Sequence, residues 1–242
     1  MKTRYRIGKG KRLVVLTGAG VSAESGISTF RDVNGLWNNY RIEEVANYGA
    51  FLNQPEIVWQ FYRLRYEQLA RVKPNAAHLA LAKAEKLMGE QFRLITQNVD
   101  GLHGRAGSRN IWEMHGSLLR SFCSRCGEEV LTENLDLSEP VPKCGKCGGN
   151  MRPDIVWFGE QPYYLNEISA AVDNCDFLLI VGTSGVVYPA AALAGLAKDA
   201  GAVILGVNLE TPDNLRNITE FHLGKAGEIL PELLEELLGE EK

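Results

Sequence analysis

Leu13-Val14-Val15-Leu16-Thr17-Gly18-Ala19-Gly20-Val21-Ser22-Ala23 is the stretch on which the fold reading turns. Four consecutive apolar residues read as a strand buried on both faces. The residues after it satisfy G-x-G-x-x-G/A, in which glycines permit a tight turn and a close approach of backbone to a pyrophosphate at the next helix N-terminus. Alone the motif is weak, because a plain glycine turn has the same spelling. Similar apolar runs recur at Phe92–Ile95, Phe177–Val181 and Val203–Val207, each ending in small or polar residues. Helical patterns at Leu79–Met88 and Ala190–Ala200 precede the second and fourth runs. That alternation predicts an α/β fold with a doubly wound, mainly parallel sheet. Such sheets bind ligands beyond the carboxyl ends of their strands, so Gly18, Gln97, Gly182 and Asn208 are predicted to share one rim.

The composition agrees with a globular chain. Of 242 residues, 45% are hydrophobic and 23% charged, enough to build a core and to exclude a disordered or fibrous protein. The formal net charge of −4 argues against a general nucleic-acid binder. Basic residues cluster at Lys2–Arg12 and acidic ones at Glu228–Glu241, which read as solvated ends. Phe177–Ala197 carries no charge and is long enough to cross a bilayer, but Gly182, Thr183, Ser184, Gly185 and Pro189 divide it into a strand, a turn and an Ala-rich helix. Leu13–Leu16 is too short for a signal-peptide core. The expectation is a cytoplasmic chain with no membrane span.

Two segments interrupt the strand and helix alternation. Residues 32–73 read as helical, with Trp59, Phe61, Tyr62 and Tyr66 in one stretch; residues 117–154 read as loops and short strands around cysteines. The predicted organisation is discontinuous: 1–31, 74–116 and 155–242 form the larger domain, and the two insertions form a small one. Four of the five cysteines fall as Cys123/Cys126 and Cys144/Cys147, with seventeen residues between the pairs. That spacing fits four thiolates on a structural zinc, with no position left for water; free or redox cysteines are the alternative. Cys175 stands alone in an apolar context and reads as packing.

His115, in Trp112-Glu113-Met114-His115-Gly116, precedes the cysteine insertion and so lies near the seam of the two domains. Imidazole suits proton transfer near neutral pH, although a lone histidine is more often a satisfied core or loop residue. His78, His103 and His222 have no better claim. Thr183-Ser184 and Asn208-Leu209-Glu210 could bind a ribose or adenine, or simply cap and turn. No acid follows the glycine motif on a second strand, which counts against a dehydrogenase.

Gly18-Ala19-Gly20-Val21-Ser22-Ala23-Glu24-Ser25-Gly26-Ile27 with Thr29-Phe30-Arg31, Thr96-Gln97-Asn98-Val99-Asp100, His115-Gly116, the two Cys pairs, Val156-Trp157-Phe158-Gly159-Glu160, Gly182-Thr183-Ser184 and Asn208-Leu209-Glu210 occur in family order and together resemble a sirtuin. Ser28 stands where the family usually has Pro. The resemblance, strongest to bacterial and archaeal members, covers nearly the whole chain. It implies a Rossmann-type domain with a small zinc-bearing domain, and an NAD-consuming protein-lysine deacylase acting on acylated proteins or peptides as a monomer. By carry-over, Gly18, Ala19, Gly20, Ser22, Ala23, Glu24, Ile27, Phe30, Arg31 and Trp37 would surround NAD, Gln97 would also contact it, Asn98 and Asp100 would line the nicotinamide pocket, and Gly182, Thr183, Ser184, Asn208, Leu209, Glu210 and Ala226 would meet the adenosine half. His115 would be the general base that deprotonates a ribose hydroxyl after the acyl oxygen has displaced nicotinamide, the products being lysine, nicotinamide and an O-acyl-ADP-ribose. Val156, Trp157, Phe158, Gly159 and Glu160 would offer an extended edge to the peptide. Tyr62 and Arg65, three apart on a helix, resemble the Tyr-x-x-Arg of members that accept succinyl- and malonyl-lysine. The alternatives are a mono-ADP-ribosyltransferase using the same cofactor, and a non-enzymatic NAD-sensing module with a zinc ribbon.

Overall fold

The computed structural model describes residues 3–27, 36–37, 40–213 and 215–239. Its strands are β1 (Leu13–Thr17), β2 (Leu36–Trp37), β3 (Tyr40–Arg41), β4 (Phe92–Thr96), β5 (Ile111–Glu113), β6 (Gly116–Cys123), β7 (Glu129–Leu131), β8 (Met151–Ile155), β9 (Phe177–Val181), β10 (Val203–Asn208) and β11 (Glu220–Leu223). Its α-helices are α1 (Ile42–Val45), α2 (Tyr48–Asn53), α3 (Pro55–Leu69), α4 (Ala76–Met88), α5 (Leu102–Ala106), α6 (Leu165–Asp173), α7 (Leu193–Asp199) and α8 (Ala226–Leu238). No helix among the described residues is long and apolar enough to cross a membrane.

Six strands form one parallel sheet in the order β11-β10-β9-β1-β4-β5. Alternate residues of β1 point to opposite faces. Leu13 and Val15 pack with Leu94, Leu179 and Leu205 against Leu81 of α4 and Leu230 and Leu234 of α8. Val14 and Leu16 pack with Ile95, Leu178 and Ile204 against Ile168 of α6 and Leu193 of α7. Helices cover both faces, so the central strands have no polar side and read as unbroken apolar runs. The chain leaves β1 for β4 and β5 on one side and later returns to β9 on the other. The strand order therefore reverses between β1 and β9, where sheets of this kind open a crevice at their carboxyl ends.

A third apolar core joins both insertions. Trp59, Phe61 and Tyr62 of α3, Leu118 and Cys123 of β6, Met151 of β8, Cys144 and Trp157 belong to it, and Ile27 and Leu102 contribute from beside the glycine turn and α5. Over the cysteine segment the chain forms an antiparallel sheet, β7-β6-β8. Trp59 donates its indole N–H to the Met151 carbonyl at 2.7 Å, which ties α3 to this sheet in a buried setting.

Two local expectations are corrected. The glycine motif does not open an α-helix among the described residues; it forms two 3-10 turns, Ala19–Val21 and Ala23–Ser25. Side chains compete for the carbonyls that a continuing helix would use: Gly18 O accepts Asn98 Nδ2 as well as the Val21 N–H of the first turn, both at 3.1 Å, and Val21 O accepts Asn75 Nδ2 at 2.8 Å. The segment 156–160 is not extended throughout. It leaves β8 and turns at Phe158–Gly159, because the Glu160 carboxylate captures the Trp157 N–H at 2.9 Å while the Glu160 N–H reaches the Trp157 carbonyl.

Candidate functional site

At the carboxyl rim the loops after β1, β4, β9 and β10 meet. Gly18 N–H donates to Val181 O, Gln97 N–H to Thr17 O and Gly182 N–H to Val207 O, each at 2.9–3.0 Å. Gly20 and Gly182 touch across the β1/β9 reversal, with Gly20 N–H donating to Gly182 O at 2.8 Å. A Cβ on Gly20 would lie 2.7 Å from the Gly182 Cα, so only a residue without one allows the two loops to close up. Thr183 and Asn208 are joined by Asn208 Nδ2 donating to Thr183 O at 3.1 Å, and Leu209 N–H folds back to Asn208 Oδ1. Glu24 reaches the start of α8, accepting from Gly227 N–H at 2.8 Å beside buried Ala226. Leu209 is exposed, Ser184 is partly buried, and Ile27 is buried in the core shared by the insertions. Phe30 and Arg31 lie outside the described residues; Trp37 lies in β2.

Beneath the β1 and β4 ends runs a buried polar chain. Ser22 Oγ donates to Asp100 Oδ2 at 2.7 Å and accepts from Asn98 Nδ2 at 3.1 Å, while Leu102 N–H fixes the other Asp100 oxygen at 2.8 Å. Gln97 Nε2 is buried with no partner among the described residues, a donor left over at the rim. His115 lies beside it, its Nδ1–H donating to the Gln97 carbonyl at 3.2 Å. With the proton held on Nδ1, Nε2 carries the lone pair. Burial lowers the His115 pKa below 6.5, with the Gln97 hydrogen bond opposing it, so the ring is a neutral base at physiological pH.

Two histidines that no motif singles out complete this chain. His78 takes the Asn75 N–H on Nδ1 and turns Nε2 toward Ser22 Oγ at 3.4 Å; His103 Nε2 meets Thr17 Oγ1 at 3.0 Å; the two rings lie 4.7 Å apart. Burial holds His78 at about 4 and His103 at about 3, well below 6.5. As pH falls from 6.5 the unfolded chain gains protons that the folded one refuses, so stability is present above that value and lost below it. The expected loss is about 1.4 kcal/mol per pH unit for each histidine. Urea midpoints between pH 7 and 5 check this, with His103→Gln flattening the slope; an identical slope in the variant contradicts it.

On α3, Tyr62 and Arg65 share one buried face, as their spacing requires. Burial pushes the Tyr62 phenol up and holds the Arg65 guanidinium down at about 10, still a cation at pH 7. Arg65 also feels the field of Asp100. Arg63, on another face, donates to the Glu139 carbonyl. Val156 N–H donates to the His115 carbonyl at 3.0 Å, and the next residue, Trp157, donates its indole N–H to Tyr62 Oη at 2.8 Å. The loop after β8 therefore runs from His115 to the Tyr62–Arg65 face. Phe158 at its tip is exposed.

Cys123, Cys126, Cys144 and Cys147 bring their sulfurs within 4.8 Å of one another. Sγ–Sγ separations of 3.5 Å (Cys123–Cys147) and 3.8 Å (Cys126–Cys144) are far from a disulfide bond and close to the roughly 3.8 Å edge of a tetrahedron with 2.3 Å zinc–sulfur bonds. Arg125 N–H and Gly149 N–H both point at sulfur, at 3.4 Å. A Cβ on Gly149 would lie 3.0 Å from Cys123 Sγ, so the backbone wraps the cluster closely. The four residues fit a structural zinc.

The Sir2 family model matches residues 18–189, more than half of the chain. This chain belongs to the Sir2 family. It is 45% identical over 239 residues to an NAD-dependent protein deacylase of Pyrococcus furiosus, covering 96% of this chain and 95% of that one, and 49% identical over 232 residues to NAD-dependent protein deacylase 1 of Archaeoglobus fulgidus, covering 94% of each. Among solved structures, a Sir2 homolog–NAD complex has a TM-score of 0.87 at 42% identity, covering 98% of this chain and 96% of that one. A Sir2–p53 peptide–NAD+ complex has a TM-score of 0.84 at 32% identity, covering 94% of each. The Sir2 fold is thus the architecture built above, a Rossmann-type sheet with a small antiparallel subdomain that carries four cysteines.

Proposed function

We propose that this Sir2 protein is an NAD-dependent protein-lysine deacylase in which His115 is the general base. The observation that carries the reading is the placement of a neutral, Nδ1-tethered imidazole at the sheet rim, beside a buried Gln97 Nε2 that has no partner among the described residues and the Asn98–Ser22–Asp100 chain. The relatives' names and the NAD complexes of similar chains support the cofactor. NAD, when bound, supplies a ribose carbon from which nicotinamide can depart. His115 Nε2 would accept a proton from a ribose hydroxyl, Gln97, Asn98 and Asp100 would hold the nicotinamide end, and the glycine loops at Gly18–Gly20 and Gly182 would receive the pyrophosphate. Gly18, Ala19, Gly20, Ser22, Ala23, Glu24 and Ile27 act on one half of the cofactor; Gly182, Thr183, Ser184, Asn208, Leu209, Glu210 and Ala226 act on the other. Phe30, Arg31 and Trp37 keep the cofactor roles that the resemblance implies. The core that gathers both insertions, apart from the two cores that flank the parallel sheet, supports a division into 1–31, 74–116 and 155–242 against 32–73 and 117–154, with Ile27, Leu102 and Trp157 of the larger part joining the two. Zinc on Cys123, Cys126, Cys144 and Cys147 takes no part in the chemistry.

The acyl pocket is proposed to take succinyl- and malonyl-lysine as well as acetyl-lysine. Arg65 is a buried cation on the same helix face as a buried phenol, and a substrate carboxylate reaching that face would accept paired charge-assisted hydrogen bonds. Tyr62→Phe with Arg65→Met is expected to lower kcat/KM on a succinyl-lysine peptide by about 100-fold, far more than on the acetyl form. Steady-state kinetics on the two peptides check it, and equal losses would remove the carboxylate reading.

A further inference from the structure

The Tyr62 hydroxyl has one hydrogen-bonded side chain among the described residues, and it is a donor, the Trp157 indole N–H at 2.8 Å. A phenol oxygen whose acceptor side is filled by an N–H has its own proton left to give. Burial keeps that proton on the oxygen. Trp157 is itself held on three sides. The Arg152 guanidinium lies 3.6 Å from its ring centroid, its backbone N–H is captured by Glu160 Oε2, and its ring belongs to the core of the insertions. Arg152 in turn grips Glu160 with two bonds, 2.8 and 2.9 Å, and the Ile155 carbonyl at 2.9 Å. The loop that leaves His115 at Val156 is therefore wired to the hydroxyl of Tyr62 through a ring that cannot swing.

We propose that Trp157 is a positioning residue for acyl recognition: its indole N–H occupies the acceptor side of Tyr62 and so aims the phenol proton at the carboxylate of the acyl chain, with Arg152 and Glu160 fixing the indole. This rests on the carboxylate-acyl reading above. A tryptophan is needed because phenylalanine fills most of the same space but offers no donor, which frees Tyr62 to turn its proton elsewhere.

The test compares wild type, Trp157→Phe, Tyr62→Phe and the double variant on one peptide carrying succinyl- or acetyl-lysine. The succinyl/acetyl ratio of kcat/KM does not depend on the folded fraction. Trp157→Phe is expected to lower that ratio about 10-fold, chiefly through KM for the succinyl form, and to lower it no further in the Tyr62→Phe background. A ratio unchanged by Trp157→Phe, or losses that simply multiply in the double variant, overturn the proposal. A wild type whose ratio matches that of Tyr62→Phe with Arg65→Met overturns the acyl reading along with it. Should Trp157→Phe fail to fold, indole N–H resonances of the other chains decide. The one that moves in Tyr62→Phe is expected to move again when wild type binds the succinyl peptide and not the acetyl one; no such difference overturns the proposal.

Discussion

His115→Ala is expected to lower turnover of an acyl-lysine peptide by about two to four orders of magnitude, the usual worth of a positioned general base. Among the described residues the side chain makes one polar contact, with the Gln97 carbonyl at the carboxyl rim of the sheet. Its removal should therefore leave the melting temperature close to that of wild type while the chemistry fails. Nicotinamide release and peptide deacylation separate the steps, since the base is invoked only after nicotinamide departs. Retention of full turnover in the variant would remove His115 from the mechanism. The pH profile gives a second reading, because burial lowers the imidazole pKa: activity should persist to a pH below 6.5 before protonation of Nε2 abolishes it.

Removing zinc is the second large effect. Structural zinc contributes about 10–16 kcal/mol of apparent binding energy in small thiolate sites, comparable with the whole stability of a domain at about 5–15 kcal/mol. Cys123 and Cys144 are buried members of the core that also holds Trp59, Tyr62 and Trp157, so the metal and that core stand or fall together. Dialysis against a chelator, or Cys144→Ser, is expected to abolish activity through unfolding of this core. Tryptophan fluorescence and activity should fall in step and return in step on adding zinc. A metal-free protein that keeps native fluorescence but has lost turnover would instead place the metal in the chemistry.

How much of this was readable in the chain follows from what each element packs against. The four central strands are covered on both faces, and their sequences, LVVLT, FRLIT, FLLIV and VILGVN, carry little or no polarity. The two edge strands of this sheet carry no such signal, because each has one neighbour and short mixed sequences, IWE and EFHL, that water tolerates. The cysteine spacing pointed to the metal cluster because four ligands must converge whatever the fold. The turns after Gly18 and after Val156 are not legible in the sequence for a shared reason: the groups that redirect them, Asn75, Asn98 and the Glu160 carboxylate, act through side chains on backbone, which periodicity does not register. His78, His103 and Arg152 were invisible for the same cause, their importance lying in partners distant along the chain or in burial that no local pattern encodes.

The most direct test of the central claim is mass spectrometry of acetyl- and succinyl-lysine peptides incubated with this protein, with and without NAD carrying a label on the adenosine half. The expected result is deacylated peptide only when NAD is present, with nicotinamide released and the label recovered in a small O-acyl-ADP-ribose. Peptides that keep their acyl groups in the presence of NAD, or label that ends on protein, would contradict the account.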